Sequence, residues 1–135
     1  MKLKKIKALK VEQASSLYKA LSDETRLRIL SIMFCYGEIC ISDLELLLDF
    51  TQTKISRHIS YLKHAGILGY KKHEKWSFYF IKEEYKDFVS PAIEAIESEE
   101  IIELDKKTYR TLYTNNTLAT RHLHNLQKRY NLPEY

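Results

Sequence analysis

Residues 51–66, TQTKISRHISYLKHAG, constrain the fold more tightly than any other part of this 135-residue chain. At about 100° per residue, Ile55, Ile59 and Leu62 share one narrow arc, so one side of a helix here must lie against a core. Thr51 carries the side-chain oxygen of an N-cap, and Gly66 has the freedom to adopt the left-handed conformation that stops a helix. Thr53, Arg57, Ser60 and His64 lie opposite the apolar arc, with Gln52 and Ser56 on one flank and Lys54 and His58 on the other. Just upstream, EICISDLELLLDF (38–50) reads as a second short helix, with Ser42 or Asp43 as cap and Leu44, Leu47 and Leu48 as its stripe. Two short helices a few residues apart, the second one basic, form a helix-turn-helix pattern.

The flanking segments extend that pattern. ILGYKKHEKWSFYFI (67–81) alternates in part and is rich in β-branched and aromatic residues, which predicts strands at about 67–72 and 76–81 around a polar tip at His73, Glu74 and Lys75. A hairpin in that place is a wing. Gly69 falls inside the first strand and marks a close backbone approach. Asp23 to Tyr36 carries Leu27, Leu30, Met33 and Phe34 at helical spacing, with Ser22 and Asp23 to start it and Gly37 after it. Leu17, Tyr18 and Leu21 mark an earlier helix reaching back toward Leu3 and Ile6. Ser90-Pro91 opens a later one with Ile93, Ile96, Ile101 and Leu104 as its face. Asn116 or Thr117 caps a final helix with Ala119, His122, Leu123, Leu126 and Tyr130 on one stripe. The expected fold is mainly α with a small β-hairpin: residues 1–104 form a winged helix-turn-helix domain, and 105–135 a helical extension of it.

Charge sharpens the reading. The net charge of +4 conceals a stretch from Phe50 to Lys82 with seven cations against Glu74, followed by Glu83 to Asp105 with nine acids against Lys86. A polyanion is attracted to the first segment and repelled by the second. On the helix, Gln52, Thr53, Ser56 and Arg57 offer an amide, hydroxyls and a guanidinium that match base edges in the major groove. Lys54 and Lys63 suit phosphates, as do Lys71, Lys72 and Lys75 on the wing. His58 and His64 sit beside the same face, and Ser60 lies on it. The partner these features select is double-stranded DNA. No apolar run of about 20 residues is present to span a membrane, and two cysteines are too few for a disulfide framework, so a cytoplasmic location is expected. Gly-rich phosphate loops, nucleophile elbows and paired catalytic carboxylates are absent, which argues against an enzyme. No cofactor or metal site is assigned.

These residues resemble the ArsR/SmtB repressors. LYKALSDETRLRIL (17–30) is similar to that family's second helix, EICISDLELLL (38–48) to its third, TQTKISRHISYLKHAGIL (51–68) to its recognition helix and YKKHEKWSFYF (70–80) to its wing. The resemblance implies a homodimer paired through the N- and C-terminal helices. It also implies repression of a nearby operon, relieved by an inducer, with Gln52, Thr53, Ser56, Arg57 and His58 in the DNA-contact positions. The inducer site departs from the family. Where arsenic- and cadmium-type members carry Cys-x-Cys, this chain has Cys40 followed by Ser42, and the zinc-type histidines are missing from 83–105. Cys35 and Cys40 therefore stand as small buried hydrophobes, as a thiol switch responding to oxidants, or as part of a thiolate metalloid site completed by a third ligand. His122 and His124, two residues apart on a helix, point roughly 200° apart and are badly placed to chelate one ion. A competing class is a winged-helix protein-interaction module that uses the acidic 83–105 segment and the tail.

Overall fold

The computed structural model describes residues 8–130. In chain order it has α1 (Val11–Leu21), α2 (Glu24–Tyr36), β1 (Ile39–Cys40), α3 (Ile41–Leu48), α4 (Gln52–His64), β2 (Leu68–His73), β3 (Trp76–Ile81), a short 3-10 turn (Glu83–Tyr85), α5 (Lys86–Ile96), α6 (Glu100–Thr114) and α7 (Ala119–Tyr130). Leu3 and Ile6 lie outside the described residues.

α2 is the central helix. Asp23 caps it by accepting from the Arg26 amide at 3.0 Å, and Gly37 ends it at φ +88°. The expected stripe was Leu27, Leu30, Met33 and Phe34, but Ile29, Leu30, Ile32 and Met33 are the buried apolar residues and Phe34 is exposed. The shift follows from position: α1, α4, α5, α6 and β3 all pack on α2, so its buried arc is wider than one stripe.

The helix-turn-helix and wing form as the periodicity predicts. α3 ends at Asp49 in the left-handed conformation (φ 56°), and Thr51 caps α4 by accepting from the Lys54 amide at 3.2 Å. Gly66, at φ +92°, stops α4, and the Ile67 amide reaches back to the Leu62 carbonyl at 3.2 Å. β2 and β3 pair antiparallel from Leu68↔Ile81 to His73↔Trp76. β1 adds a third strand on the other edge of β3, with Cys40 opposite Phe78. A Cβ at Gly69 would lie 2.9 Å from the Phe80 ring, the close approach that glycine signalled.

The C-terminal third departs from the sequence reading. α5 begins at Lys86, not at Ser90, so Pro91 sits inside the helix with no N–H for the Asp87 carbonyl. Ser90 spends its hydroxyl on Glu94 (3.0 Å) instead of a cap. The chain then breaks, and Glu99 restarts α6 by accepting from the Ile101 amide at 2.8 Å. The break resets the helical phase: Ile102, Asp105 and Tyr109 turn inward, while Ile101 and Leu104 are exposed. α6 runs unbroken through residue 105, so the expected division at 104/105 falls inside a helix. The caps differ as well. Ser42 and Asp43 lie within α3, and the Asp43 carboxylate caps α7, accepting from Ala119 at 2.8 Å and Thr120 at 2.9 Å in place of Asn116 or Thr117. His122, on the expected stripe of that helix, is exposed beside Trp76 in the single chain.

Candidate nucleic-acid interface

α4 is held by its apolar arc: Ile55, Ile59 and Leu62 are at most 2% exposed. Burying three such side chains contributes about 1.5–3 kcal/mol each, enough to seat the helix while its other side stays in water. On that other side Gln52, Thr53, Arg57, Ser60, Lys63 and His64 are exposed, and Lys54 and Ser56 are half-buried. The first two turns therefore present an amide, two hydroxyls and a guanidinium together, beside N-terminal amides that the helix itself leaves without carbonyl partners.

Three cations of this helix-and-hairpin unit stand over aromatic rings. Lys54 Nζ lies 3.7 Å from the centroid of Phe50, in the turn between α3 and α4. Lys63 Nζ lies 4.3 Å from Tyr70 on β2, which ties the C-terminal half of α4 to the wing. At the wing tip Glu74 takes the left-handed conformation (φ 54°), and Lys75 Nζ stands 5.0 Å over Trp76. Lys71, Lys72 and Lys75 are all exposed along the hairpin. The structure thus places eleven of the twelve sequence-selected residues on one helix-and-hairpin unit with at least part of each side chain in solvent.

His58 is the exception. It sits 8% exposed, with Nδ1 3.4 Å from the Arg26 guanidinium and 3.8 Å from Asp23. A wheel places it only about 40° beyond Leu62, and the approach of α2 turns it from flank to interior. Burial pushes its imidazole pKa below the ordinary value, Asp23 opposes this, and the charges of Arg26, Arg57 and Lys54 lower it further. His58 is a neutral packing residue in this arrangement and does not face the exposed side of α4.

Arg26 was not singled out by the sequence, yet it organises this region. Its Nε donates to the Ala20 carbonyl at 2.8 Å and one terminal nitrogen to the Lys19 carbonyl at 3.1 Å, at the end of α1. Its guanidinium carbon lies 4.0 Å from the Tyr61 ring centroid on α4. No local pattern betrays such a residue, because His58 and Tyr61 lie more than 30 positions away.

The two cysteines occupy different environments. Cys35 is exposed on α2. Cys40 is buried with Phe78 and Leu123, and its Sγ is 3.1 Å from Ser42 Oγ. Burial, with the charge of Asp43 added, pushes the Cys40 thiol up to about 11, so it is protonated at neutral pH and a poor nucleophile. Among the described residues no group of three or more His, Cys, Asp or Glu side chains is placed to hold a metal ion. No helix there is long and apolar enough to cross a membrane.

Comparison with known proteins bears on the same unit. The family model described as bacterial regulatory protein, arsR family, matches residues 23–70, which run from the cap of α2 into β2. An uncharacterized HTH-type transcriptional regulator of Methanocaldococcus jannaschii is 39% identical over 72 residues, 53% of this chain and 81% of that protein. This chain belongs to the ArsR family. The arsenical resistance operon repressor of Escherichia coli is 46% identical to this ArsR-family chain over 63 residues, 47% of the chain and 54% of the repressor. The chain thus spans only about half the length of that curated relative. Among solved structures, HlyU from Vibrio cholerae superposes with a TM-score of 0.56 at 26% identity, covering 67% of this chain and 94% of HlyU. These are transcriptional regulators, and the fold they share with this chain is the winged helix-turn-helix. The family match stops before α5, α6 and α7.

Proposed function

We propose that this ArsR-family chain is a sequence-specific, DNA-binding transcriptional repressor that acts as a homodimer on operator DNA. The observation that carries the reading is the division of α4. Its aliphatic arc is sealed, while Gln52, Thr53 and Arg57 stand exposed at the helix end that enters a major groove. In this reading Gln52, Thr53, Ser56 and Arg57 read base edges. Lys54, Ser60 and Lys63 steady the helix on phosphates. Lys71, Lys72 and Lys75 hold the backbone or the adjacent minor groove. A homodimer through the terminal helices is supported by apolar side chains that α1 leaves uncovered, Val11 at 87% and Tyr18 at 64% exposure, with Tyr18 edge-on to Phe88 of α5 at 5.2 Å. A cytoplasmic location follows from that role.

Selection of binding sites from a random duplex library, followed by anisotropy titration, tests the proposal. The selected duplex should bind far more tightly than scrambled DNA. Arg57→Ala should cost about 1–3 kcal/mol on the selected duplex and little on the scrambled one. If no duplex is preferred over random sequence, the interaction-module reading takes its place.

A further inference from the structure

We propose that α7 is a positioning element for the wing: seated on α3, it braces the middle of β3 through Phe78 and so sets where Lys71, Lys72 and Lys75 stand relative to α4. Its effect on DNA binding rests on the function proposed above, whereas the clamp itself is a matter of packing and can be tested alone.

α7 lies beyond the segment shared with the family, and it is tied to that segment at both levels of structure. Its first two amides have no acceptor from their own stretch of chain. They point at Asp43 of α3, which is 1% exposed and gives one carboxylate oxygen to Ala119 and the other to Thr120. A buried carboxylate at a helix N-terminus is stabilised by both the hydrogen bonds and the helix dipole. Neither partner can separate without leaving a desolvated polar group behind. Thr120, fully buried, donates to the Glu38 carbonyl at 3.3 Å. One turn on, His124 Nε2 meets Glu38 Oε1 at 2.8 Å while its Nδ1 meets the Tyr113 hydroxyl of α6 at 2.8 Å. Four side chains thus hold α7 to the start of α3 and the residue before β1.

The same buried face of α7 also reaches the wing. Leu123, 1% exposed, packs with Cys40 and Phe78, and Trp76 and Ala119 close over that cluster. Phe78 is the middle of the wing: it pairs with Cys40 of β1 on one edge and with Lys71 of β2 on the other. His122 lies 5.9 Å from Trp76, where β3 leaves the tip. A two-stranded hairpin alone is marginally stable. Here its inner strand is pinned through Phe78 by a helix that is itself pinned to the helix-turn-helix. Leu123 belongs to this small cluster and not to the main core, so the clamp can open while the rest of the fold persists.

The test uses the full chain in a Cys35→Ser background, which leaves Cys40 as the remaining thiol. Leu123→Ala removes the apolar contact, and Asp43→Asn removes the charge of the cap at constant size. With Leu123→Ala, Cys40 should react with an aromatic disulfide reagent about thirty-fold faster or more. Amide exchange across Trp76–Ile81 should accelerate while that of Ile29–Met33 in α2 stays slow, which also verifies folding. Asp43→Asn should shift both readouts the same way by less. Both variants should weaken binding to selected and random duplexes alike, with a shallower salt dependence, since the wing grips backbone. Unchanged exchange across Trp76–Ile81 in both variants overturns the proposal, and a faster Cys40 with unchanged wing amides reduces α7 to a cover over the thiol. If the parent prefers no duplex, the function proposed above fails, and the exchange data still decide whether α7 holds β3.

Discussion

The pair formed by Arg28 of α2 and Asp105 of α6 should carry much of the attachment between the family-shared unit and the C-terminal helices. Arg28 donates from Nε at 2.8 Å and from a terminal nitrogen at 2.9 Å, a fork matched to both carboxylate oxygens. The side chains are 19% and 4% exposed, so Asp105→Ala strands a guanidinium that water reaches only in part. Removing one member of a fully buried pair costs about 3–5 kcal/mol. Here the residual exposure of Arg28, and the charges of Glu24 and Glu99 nearby, offset part of that. We expect about 2–3 kcal/mol, seen as a lower urea midpoint at constant m-value and a fall of roughly 6–15 °C in Tm. Arg28→Met should cost at least as much, because Asp105 is the more deeply buried partner. The double variant should be less destabilised than the sum, with a coupling of about 2 kcal/mol. Additive single-variant effects, or a cost below about 1 kcal/mol for Asp105→Ala, would refute the argument that this pair fastens α6 to α2.

Three further outcomes are expected. Gly66→Ala should destabilise by about 1–2 kcal/mol in thermal melts, since φ is +92° and the new Cβ would stand 3.4 Å from the Tyr85 hydroxyl; an unchanged Tm would show that the α4 stop tolerates a side chain. Lys75→Ala should weaken selected and random duplexes equally and lower the salt slope by about one per protomer, and a loss confined to the selected site would make Lys75 a base contact instead. Because burial holds His58 below its ordinary pKa, the unfolded chain takes up its proton first, so the stability from neutral His58 is complete above about pH 6.5 and is lost as pH falls through the lower folded value. Urea midpoints between about pH 7.5 and 5.5 should therefore slope less in His58→Asn than in the parent, and equal slopes would place the titration elsewhere.

The parts of the molecule that could be read from the chain alone are those whose determinants are local. Ile55, Ile59 and Leu62 repeat at helical spacing, Thr51 and Gly66 bracket them, and the alternation through Tyr70 and Phe78 flanks a polar tip, so α4 and the wing follow from neighbours a few residues apart. Asp43 shows why the rest did not. A short acidic side chain at the start of an apolar run has the same local signature whether it caps its own helix or one that begins 76 residues later. The break at residues 97–99 was hidden for a related reason: Ile93, Ile96, Ile101 and Leu104 approximate one helical stripe, and only Glu99 capping Ile101 reveals the change of phase. His58 sits at the boundary of the buried arc, where about 40° decides between solvent and interior, and the deciding groups, Asp23 and Arg26, belong to another helix.

These non-local contacts have a common geometric effect. A dimer that places two α4 helices in successive major grooves must hold them about 34 Å apart, so any tilt between the pairing helices and α4 is magnified at the DNA. Arg26 spans that joint, bonded to two carbonyls at the end of α1 while its face covers Tyr61 and its edge meets His58 on α4. A lysine there could satisfy one carbonyl but neither fork nor stack, because its charge sits at a point and carries no planar face. From the other side, Asp43 and Leu123 bring α7 against α3 and the wing. The exposed face of α4 is thus supported on one flank by a residue that links it to α1, and on the other by a helix outside the shared family segment. In the function proposed above, the side chains of that face are free to match a particular sequence because the contacts that orient them lie behind α4, in residues that do not share its exposed face.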